Sequence, residues 1–193
     1  MTTEHGHELI DLAPYVDNAG CALPGIDIGP GFDGFGRAFP AEELDLLEEH
    51  EGLRTPGWGR GAPDNVACDG QRVLLPGPVP VRGIRLLGAC SGGSILDEIT
   101  VEGDGPDRGR SLALRVALSD FLAVRPYFGE EERAVCSLLR EGGKDVRGPR
   151  PRLWSSGADL AEGLTSRSLR LPINPQIHIF RLSIVAGSGT RAR

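Results

Sequence analysis

The amino-acid sequence predicts an all-β protein, an antiparallel β-sandwich of the jelly-roll type with one or two short helices. Its 193 residues include 28 glycines and 15 prolines, which interrupt the chain too often for long helices and favour short strands joined by turns. In Ser111–Leu118, leucine and valine alternate with smaller or polar residues, as expected of a half-buried strand. Other short apolar segments recur at intervals of roughly 10 to 15 residues, with turn-forming sequences between them.

The strands can be placed along the chain from this pattern. Residues 84–89 are apolar enough to be covered on both faces of a sheet. A last strand at 176–185 places His178 and Phe180 on the same face, because successive side chains of a strand alternate. The other strands are predicted at 8–16, 72–75, 95–101, 111–118, 134–140, 152–155 and 169–171. Turns rich in glycine or proline are predicted at 76–78, 103–106 and 142–143.

Residues 41–50 are the exception to the β pattern. Pro40 precedes a run of helix-forming residues, which predicts a short helix with proline in its first turn. The chain has the length of one domain and contains no linker or internal repeat. We therefore predict one jelly-roll domain at 1–186 and a flexible tail at 187–193.

Composition and charge exclude several classes of protein. The formal net charge is −6, and no concentrated basic surface is evident, which argues against nucleic-acid binding. The N-terminus lacks a basic segment followed by an apolar run, and no segment is apolar for long enough to span a membrane, so we expect a cytoplasmic protein without membrane contact. Cys21, Cys68, Cys90 and Cys136 lack the spacing of a zinc site and are expected to be reduced thiols.

An ordered series of short motifs extends over nearly the whole chain: DLAPY at 11–15, FDG at 32–34, PAEEL at 40–44, DNVACDGQ at 64–71, LLGA at 86–89, LSDF at 118–121 and LPINPQIHIF at 171–180. The series resembles the accessory β-sandwich modules, of the galactose-binding or carbohydrate-binding jelly-roll type, that are attached to many bacterial glycoside hydrolases. The resemblance implies an antiparallel jelly roll that often carries a structural calcium ion. Free-standing proteins of this architecture include calcium-dependent cyclases of bacterial alkaloid biosynthesis, so the fold alone does not decide the function.

Two functions therefore stand as the main hypotheses. The first is a stand-alone cytoplasmic module that binds a carbohydrate or related small molecule. The second is a biosynthetic enzyme of bacterial secondary metabolism, of the cyclase, lyase or isomerase type, that guides proton transfer in an aromatic-lined pocket. A structural or partner-binding sandwich with no small ligand is the third. The sequence contains no nucleophile elbow, phosphate loop or dinucleotide fingerprint.

Three side chains are candidates for proton transfer. His178 has an unperturbed pKa near neutrality, but it could equally be a core histidine bonded to its surroundings. Glu42, beside Glu43, could act as an acid or base, or could be bonded to an arginine or a loop amide. Asp120 follows the strand at 111–118 and could instead end that strand in a turn.

Ligand contacts are predicted from rings and from polar loop residues. Aromatic rings can stack on a sugar face or an aromatic ligand, although each could also pack in the core. A loop rich in prolines and glycine carries Arg147, Arg150 and Arg152, which could either bind an acidic ligand or be solvated. The predicted contacts are Phe35, Arg37, Trp58, Asp64, Asn65, Tyr127 and Trp154.

The segment from Gly31 to Leu44 contains the candidate metal ligand Asp33. Asp33 could bind a structural Ca²⁺ together with Asp27, and Asp17 and Asn18 are near enough in sequence to contribute. Alternatively, its carboxylate could cap a turn by accepting hydrogen bonds from backbone amides.

Overall fold

The computed structural model describes residues 6–46 and 56–187, which contain twelve β-strands, one short α-helix and a 3₁₀ helix at Gly105–Asp107. The predicted all-β sandwich with short helices is confirmed. The elements are β1 Gly6–Leu9, β2 Cys21–Ala22, β3 Arg37–Pro40, α1 Ala41–Leu44, β4 Val66–Asp69, β5 Arg72–Cys90, β6 Ile95–Gly103, β7 Ser111–Leu118, β8 Glu131–Val135, β9 Leu139–Glu141, β10 Lys144–Val146, β11 Arg152–Arg170 and β12 Ile173–Ala186.

The strands form two sheets. The main sheet has eight strands, in the order β1-β12-β5-β11-β6-β7, with β4 also paired to β12 and β8 also paired to β11. All of these pairs are antiparallel. The second sheet has four strands, in the order β10-β9-β3-β2, and only its short β2–β3 pair is parallel.

Strand β5 passes through the segment predicted as a turn at 76–78, so that prediction is wrong. Its residues 81–90 pair with β12 on one side, whereas residues 72–74 and 79–80 pair with β11 alone among the named strands, and residues 75–78 lie in an irregularity of the register between β5 and β11. Proline lacks a backbone N–H and is tolerated where a strand has an unpaired side. Pro76 and Pro78 lie in this irregular segment, where no partner needs their missing N–H groups, and the two predicted strands at 72–75 and 84–89 are parts of one strand.

Other boundaries also differ from the predictions. The strand predicted at 8–16 ends at Leu9, and a turn follows in which the Tyr15 amide donates to the Leu12 carbonyl over 2.8 Å. The strand predicted at 134–140 divides into β8 and β9. The helix predicted at 41–50 is described as far as Leu44, and residues 47–50 lie outside the described residues, as do 188–193 of the predicted tail.

The Gly-Gly turn predicted at 142–143 is confirmed. Gly142 and Gly143 connect β9 to β10, with φ angles of 53° and 75°. Two successive positive φ angles are the requirement of the two-residue hairpin turn that matches the twist of antiparallel strands.

The segment from Gly31 to Leu44 supplies the aromatic centre of the core. The Phe32 ring lies 5.0 Å from the Phe39 ring and 4.9 Å from the Phe121 ring, centroid to centroid. Gly31 has a φ of +67°, and a Cβ on it would lie 2.4 Å from the Arg37 carbonyl oxygen, so only glycine fits this position. The close approach holds the loop against β3 and directs Phe32 inward.

Candidate functional site

Four polar side chains, which we call the His178 network, lie buried where β4, β5 and β12 meet: Asp64, Asn65, Ser91 and His178. His178 of β12 pairs with Ala67 of β4, and Ser91 follows the last residue of β5. This register brings Asn65 Oδ1 to 2.9 Å from His178 Nδ1 and Ser91 Oγ to 3.2 Å from His178 Nε2.

Asp64 extends the network to the second sheet. Its carboxylate accepts hydrogen bonds from the backbone amides of Gly20 and Cys21, each at 2.9 Å, and from Asn65 Nδ2 at 2.8 Å. Asn65 Nδ2 also lies 3.0 Å from Asn18 Oδ1. The network therefore connects the main sheet to β2 through side chains whose polar groups have partners, as buried polar groups require.

Burial dominates the electrostatics of this network. Desolvation lowers the pKa of His178 to about 4, although the nearby Asp33 charge favours its protonated form. Desolvation also raises the pKa of Asp64 to about 6, against the hydrogen bonds from Asn65, Gly20 and Cys21. His178 is therefore neutral at pH 7, and one ring nitrogen donates while the other accepts.

The order Ser91, His178, Asn65 has the connectivity of a nucleophile, a base and an orienting group. However, the Phe32 ring covers the imidazole at 4.2 Å between centroids, and His178 is only 3% exposed. A base must reach the proton of a bound substrate. The arrangement fits a buried clamp between the sheets better than a catalytic centre.

The two buried ionisable groups predict an unusual pH dependence of stability. The pKa of Asp64 is raised from 3.8 to about 6, so its contribution is fully present below pH 3.8 and is lost as the pH rises through 6. The pKa of His178 is lowered from 6.5 to about 4, so its contribution is present above pH 6.5 and is lost as the pH falls through 4. The contributions of Asp64 and His178 to stability therefore change with pH in opposite directions over nearly the same pH range.

Asp64→Asn should therefore reveal the pH dependence that His178 alone gives to the free energy of unfolding. We expect the free energy of unfolding of this variant to rise by ~3 kcal/mol between pH 4 and pH 6.5, beyond any change in the wild type. His178→Gln should show the reverse, a fall with increasing pH. Urea unfolding at several pH values measures both slopes, and parallel curves for all three proteins would contradict the assignment.

The candidate metal ligands have other partners. Asp33 Oδ1 accepts a hydrogen bond from the Phe35 amide over 2.9 Å, and Asp33 forms an ion pair with the Arg37 guanidinium. Asp27 caps its own turn by accepting from the Gly29 amide. Within residues 6–46 and 56–187, no three His, Cys, Asp or Glu side chains come together in a way that could hold a metal ion. Asp33 and Asp27 thus each have protein partners, and the structural Ca²⁺ stays a prediction.

The acids near α1 are also bonded. Glu42 forms an ion pair with Arg140, whose side chain is only 2% exposed. Burial alone would raise the pKa of Glu42, but the hydrogen bonds and the charge of Arg140 lower it below its usual value. Glu43 accepts from the amide and the hydroxyl of Ser137, both at 2.6 Å.

Asp120 ends β7 in a turn, where its carboxylate accepts from the amides of Gly93 and Leu122, each over 2.8 Å. The Asp120 carbonyl accepts from Nε1 of Trp154, which is fully buried in the core. The hydrogen bonds of Asp120 and Trp154 thus hold the first residues of the loop that follows β7.

The other predicted ligand contacts are dispersed. Phe35 is 78% exposed, and Arg37 lies 5.6 Å from the Phe121 centroid. Trp58 is half-buried against the core, and its buried Nε1 has no hydrogen-bond partner within the described residues. Arg150 donates to the Cys136 carbonyl, and Arg152 to Glu132.

The four cysteines are buried thiols, and burial raises the pKa of each.

An open groove beside the loop between β7 and β8 was not predicted from the sequence. It has a volume of about 590 Å³, and we call it the Glu130 groove. Its lining includes Leu96, Arg115, Phe128, Glu130, Ser155 and Ser156.

Glu130 is the unusual member of this lining. It is only 8% exposed, its Oε2 accepts the Phe128 amide over 2.9 Å, and its buried Oε1 has no hydrogen-bond partner among the residues that the structure describes. A buried carboxylate oxygen without a donor is costly. In the sequence, Glu130 begins a run of three glutamates before Arg133, a pattern that usually indicates a solvated surface.

Aromatic rings flank Glu130. Phe128 is 38% exposed and lines the groove. Tyr127, one of the predicted ligand contacts, is 76% exposed, and its ring centroid lies 5.0 Å from that of Phe128. The Tyr127 amide donates to Ser119 Oγ over 2.7 Å. Hydrogen bonds that the two backbone amides donate therefore hold the two rings beside the groove.

These features define an antiparallel all-β protein with a buried polar clamp and an open, aromatic-flanked groove. The chain matches no protein-family model and no curated protein. Within the described residues, no helix has the length and apolar character needed to cross a membrane.

Proposed function

We propose that the protein binds a carbohydrate or a closely related polar small molecule in the Glu130 groove. The observation that carries the proposal is Glu130, a buried acid in the lining of an open groove, whose carboxylate oxygen Oε1 has no hydrogen-bond donor among the described residues. The hydroxyl group of a ligand is a donor of the required kind.

The rest of the lining supports the same class of ligand. Ser155 and Ser156 add hydroxyl groups that can both donate and accept. Phe128 offers a ring face against which the C–H groups of a sugar can pack, next to the polar acceptor. Ligand sites commonly combine an apolar wall with a few placed polar groups.

The enzyme alternative has less support. His178, Glu42 and Asp120 each have protein partners, and they do not line the groove. A binding protein requires only recognition groups, which the groove contains.

Two substitutions test the proposal. On an array of immobilised saccharides, we expect the wild type to bind at least one saccharide, and Glu130→Gln and Phe128→Ala each to weaken that binding about 10-fold, the equivalent of one good contact. Glutamine keeps one oxygen that can accept from the Phe128 amide, so the substitution changes only the second carboxylate oxygen, Oε1.

Matched controls lie elsewhere on the surface. Glu141→Gln on β9 and Phe35→Ala change an exposed acid and an exposed ring away from the groove, and both should bind as the wild type does. If no saccharide binds, or if the groove variants bind as well as the controls, the proposal is wrong.

A further inference from the structure

Glu130 is a buried acid without a cationic partner among the described residues. It is 8% exposed, and its carboxylate accepts one hydrogen bond from these residues, that of the Phe128 amide over 2.9 Å. The second oxygen, Oε1, has no donor there, and none of the ion pairs in that part of the chain includes Glu130. A buried charge is costly unless it is paired. The hydroxyl group of a neutral sugar adds a hydrogen bond to Glu130 but does not compensate its charge.

The arginines near Glu130, in the lining and in the sequence, each have another carboxylate as a partner. Arg115 lines the groove, and its Nε lies 3.9 Å from Glu98 Oε1. Arg133 follows Glu130 by three residues, and its Nη1 lies 2.9 Å from Glu131 Oε1. Neither guanidinium forms an ion pair with Glu130.

A second carboxylate near Glu130 also has no cation. Asp120 accepts from the backbone amides of Gly93 and Leu122, and it forms no ion pair within the described ranges. Burial raises the pKa of the Cys90 thiol to about 12, and the charges of Asp120 and Glu130 raise it further. The two carboxylates therefore both act on one buried group, and their negative charges reinforce each other.

The rings beside Glu130 suit a cation as well as a sugar. Phe128 lines the groove, and the Tyr127 ring centroid lies 5.0 Å from the Phe128 centroid. The face of an aromatic ring attracts a cation that lies within about 6 Å of its centroid. An ammonium group has a full positive charge and N–H donors, so it can both pair with the Glu130 carboxylate and contact a ring.

We propose that the saccharide is an amino sugar whose protonated amine binds beside Glu130. The inference rests on the proposed function, because it assumes that the sugar ring occupies the Glu130 groove against Phe128. A hydrogen bond between an ammonium group and a carboxylate is roughly twice as strong as one between neutral groups. The hydroxyl groups of Ser155 and Ser156 in the lining remain available to the hydroxyl groups of the sugar.

The first test compares neutral sugars with their amino counterparts: glucose with 2-amino-2-deoxyglucose and 6-amino-6-deoxyglucose, and galactose with 2-amino-2-deoxygalactose. At about pH 6.5 the amine is largely protonated, and at least one amino sugar should bind 10-fold or more tightly than its neutral counterpart. N-acetylglucosamine, whose amide is uncharged, should show no such advantage.

The dependence on salt separates a buried pair from general attraction. A cation is attracted weakly to any protein of net charge −6, but salt screens that attraction, whereas a buried pair is screened much less. The preference for the amino sugar should therefore persist at about 500 mM salt. Equal binding of neutral and amino sugars overturns the inference and leaves the proposed function standing.

Glu130→Gln tests the location. It should weaken the binding of the amino sugar about 10-fold more than that of the neutral sugar, so the preference is lost. Glu141→Gln removes the same charge from an exposed position on β9 and should keep the preference. Urea unfolding of both variants checks that they fold. A preference that survives in Glu130→Gln, or that disappears in Glu141→Gln, contradicts the location.

A final experiment uses the wild type and needs no saccharide. Ethylammonium chloride, titrated at constant ionic strength, should shift the NMR signals of the Glu130 carboxyl group and the Phe128 amide in a saturable way, whereas ethanol and calcium chloride should not. If ethylammonium shifts neither signal, or calcium shifts them equally, the inference is wrong, whatever the array shows. If ethylammonium binds here but no saccharide binds the protein, the proposed function fails and the amino-sugar inference fails with it.

Discussion

Phe32→Ala is expected to lower the free energy of unfolding by about 4 kcal/mol, the largest effect that we predict for a single side chain. Phe32 is 1% exposed and contacts the rings of Phe39, Phe121, Phe180 and His178. Truncation removes the transfer energy of the ring and leaves a cavity that its rigid aromatic neighbours cannot fill.

A matched control lies three residues further along the same loop. Phe35 is 78% exposed, so Phe35→Ala should change the free energy of unfolding by less than about 0.5 kcal/mol. Urea unfolding of the two variants at pH 7 measures the difference. Similar losses in both would mean that the loop does not direct Phe32 into the core as described.

Asn65→Leu is expected to lower the free energy of unfolding by ~3 kcal/mol. The substitution removes the partner of His178 Nδ1 and one donor to Asp64, and it also breaks the bond to Asn18. Each of these groups is wholly or partly buried, and an unsatisfied buried polar group costs more than the hydrogen bond itself contributed.

The control for Asn65 is Asn174→Leu near the start of β12, where the side-chain Oδ1 accepts the backbone N–H of Gln176 at the surface. Urea unfolding should show a loss there of less than about 1 kcal/mol. The Asn65 variant should also alter the NMR signals of the His178 ring, because its Nδ1 loses its partner. Unchanged imidazole signals would show that Asn65 does not fix the ring.

The predictions of the fold succeeded where the pattern is local. The strand predicted at 111–118 is β7, with the same bounds, because its alternation is complete and β7 pairs along its length with β6. The turn predicted at 76–78 was wrong, because a strand can contain proline where its residues have no partner in the register. Whether a neighbour is present is decided by the arrangement of β11 and β12.

The same distinction applies to the candidate sites. Residue type selected Asp64, Asn65 and His178 separately, and it assigned them to ligand binding and proton transfer. Asn65 and His178 are 113 positions apart, so only the pairing of β4 with β12 brings them together. Burial, which no local pattern specifies, makes the imidazole neutral and encloses it.

Glu130, in contrast, was not among the predicted site residues, and the structure shows it in the wall of the groove. Its sequence neighbours indicate a solvated acid, and the folding of the loop after β7 buries it with one oxygen unpaired.

Composition and alternation were therefore sufficient for the class of fold, because glycine, proline and period-two patterning act within a few residues of chain. The positions of the groove and the His178 network depend on strand register and burial, which arise only when distant segments pack together.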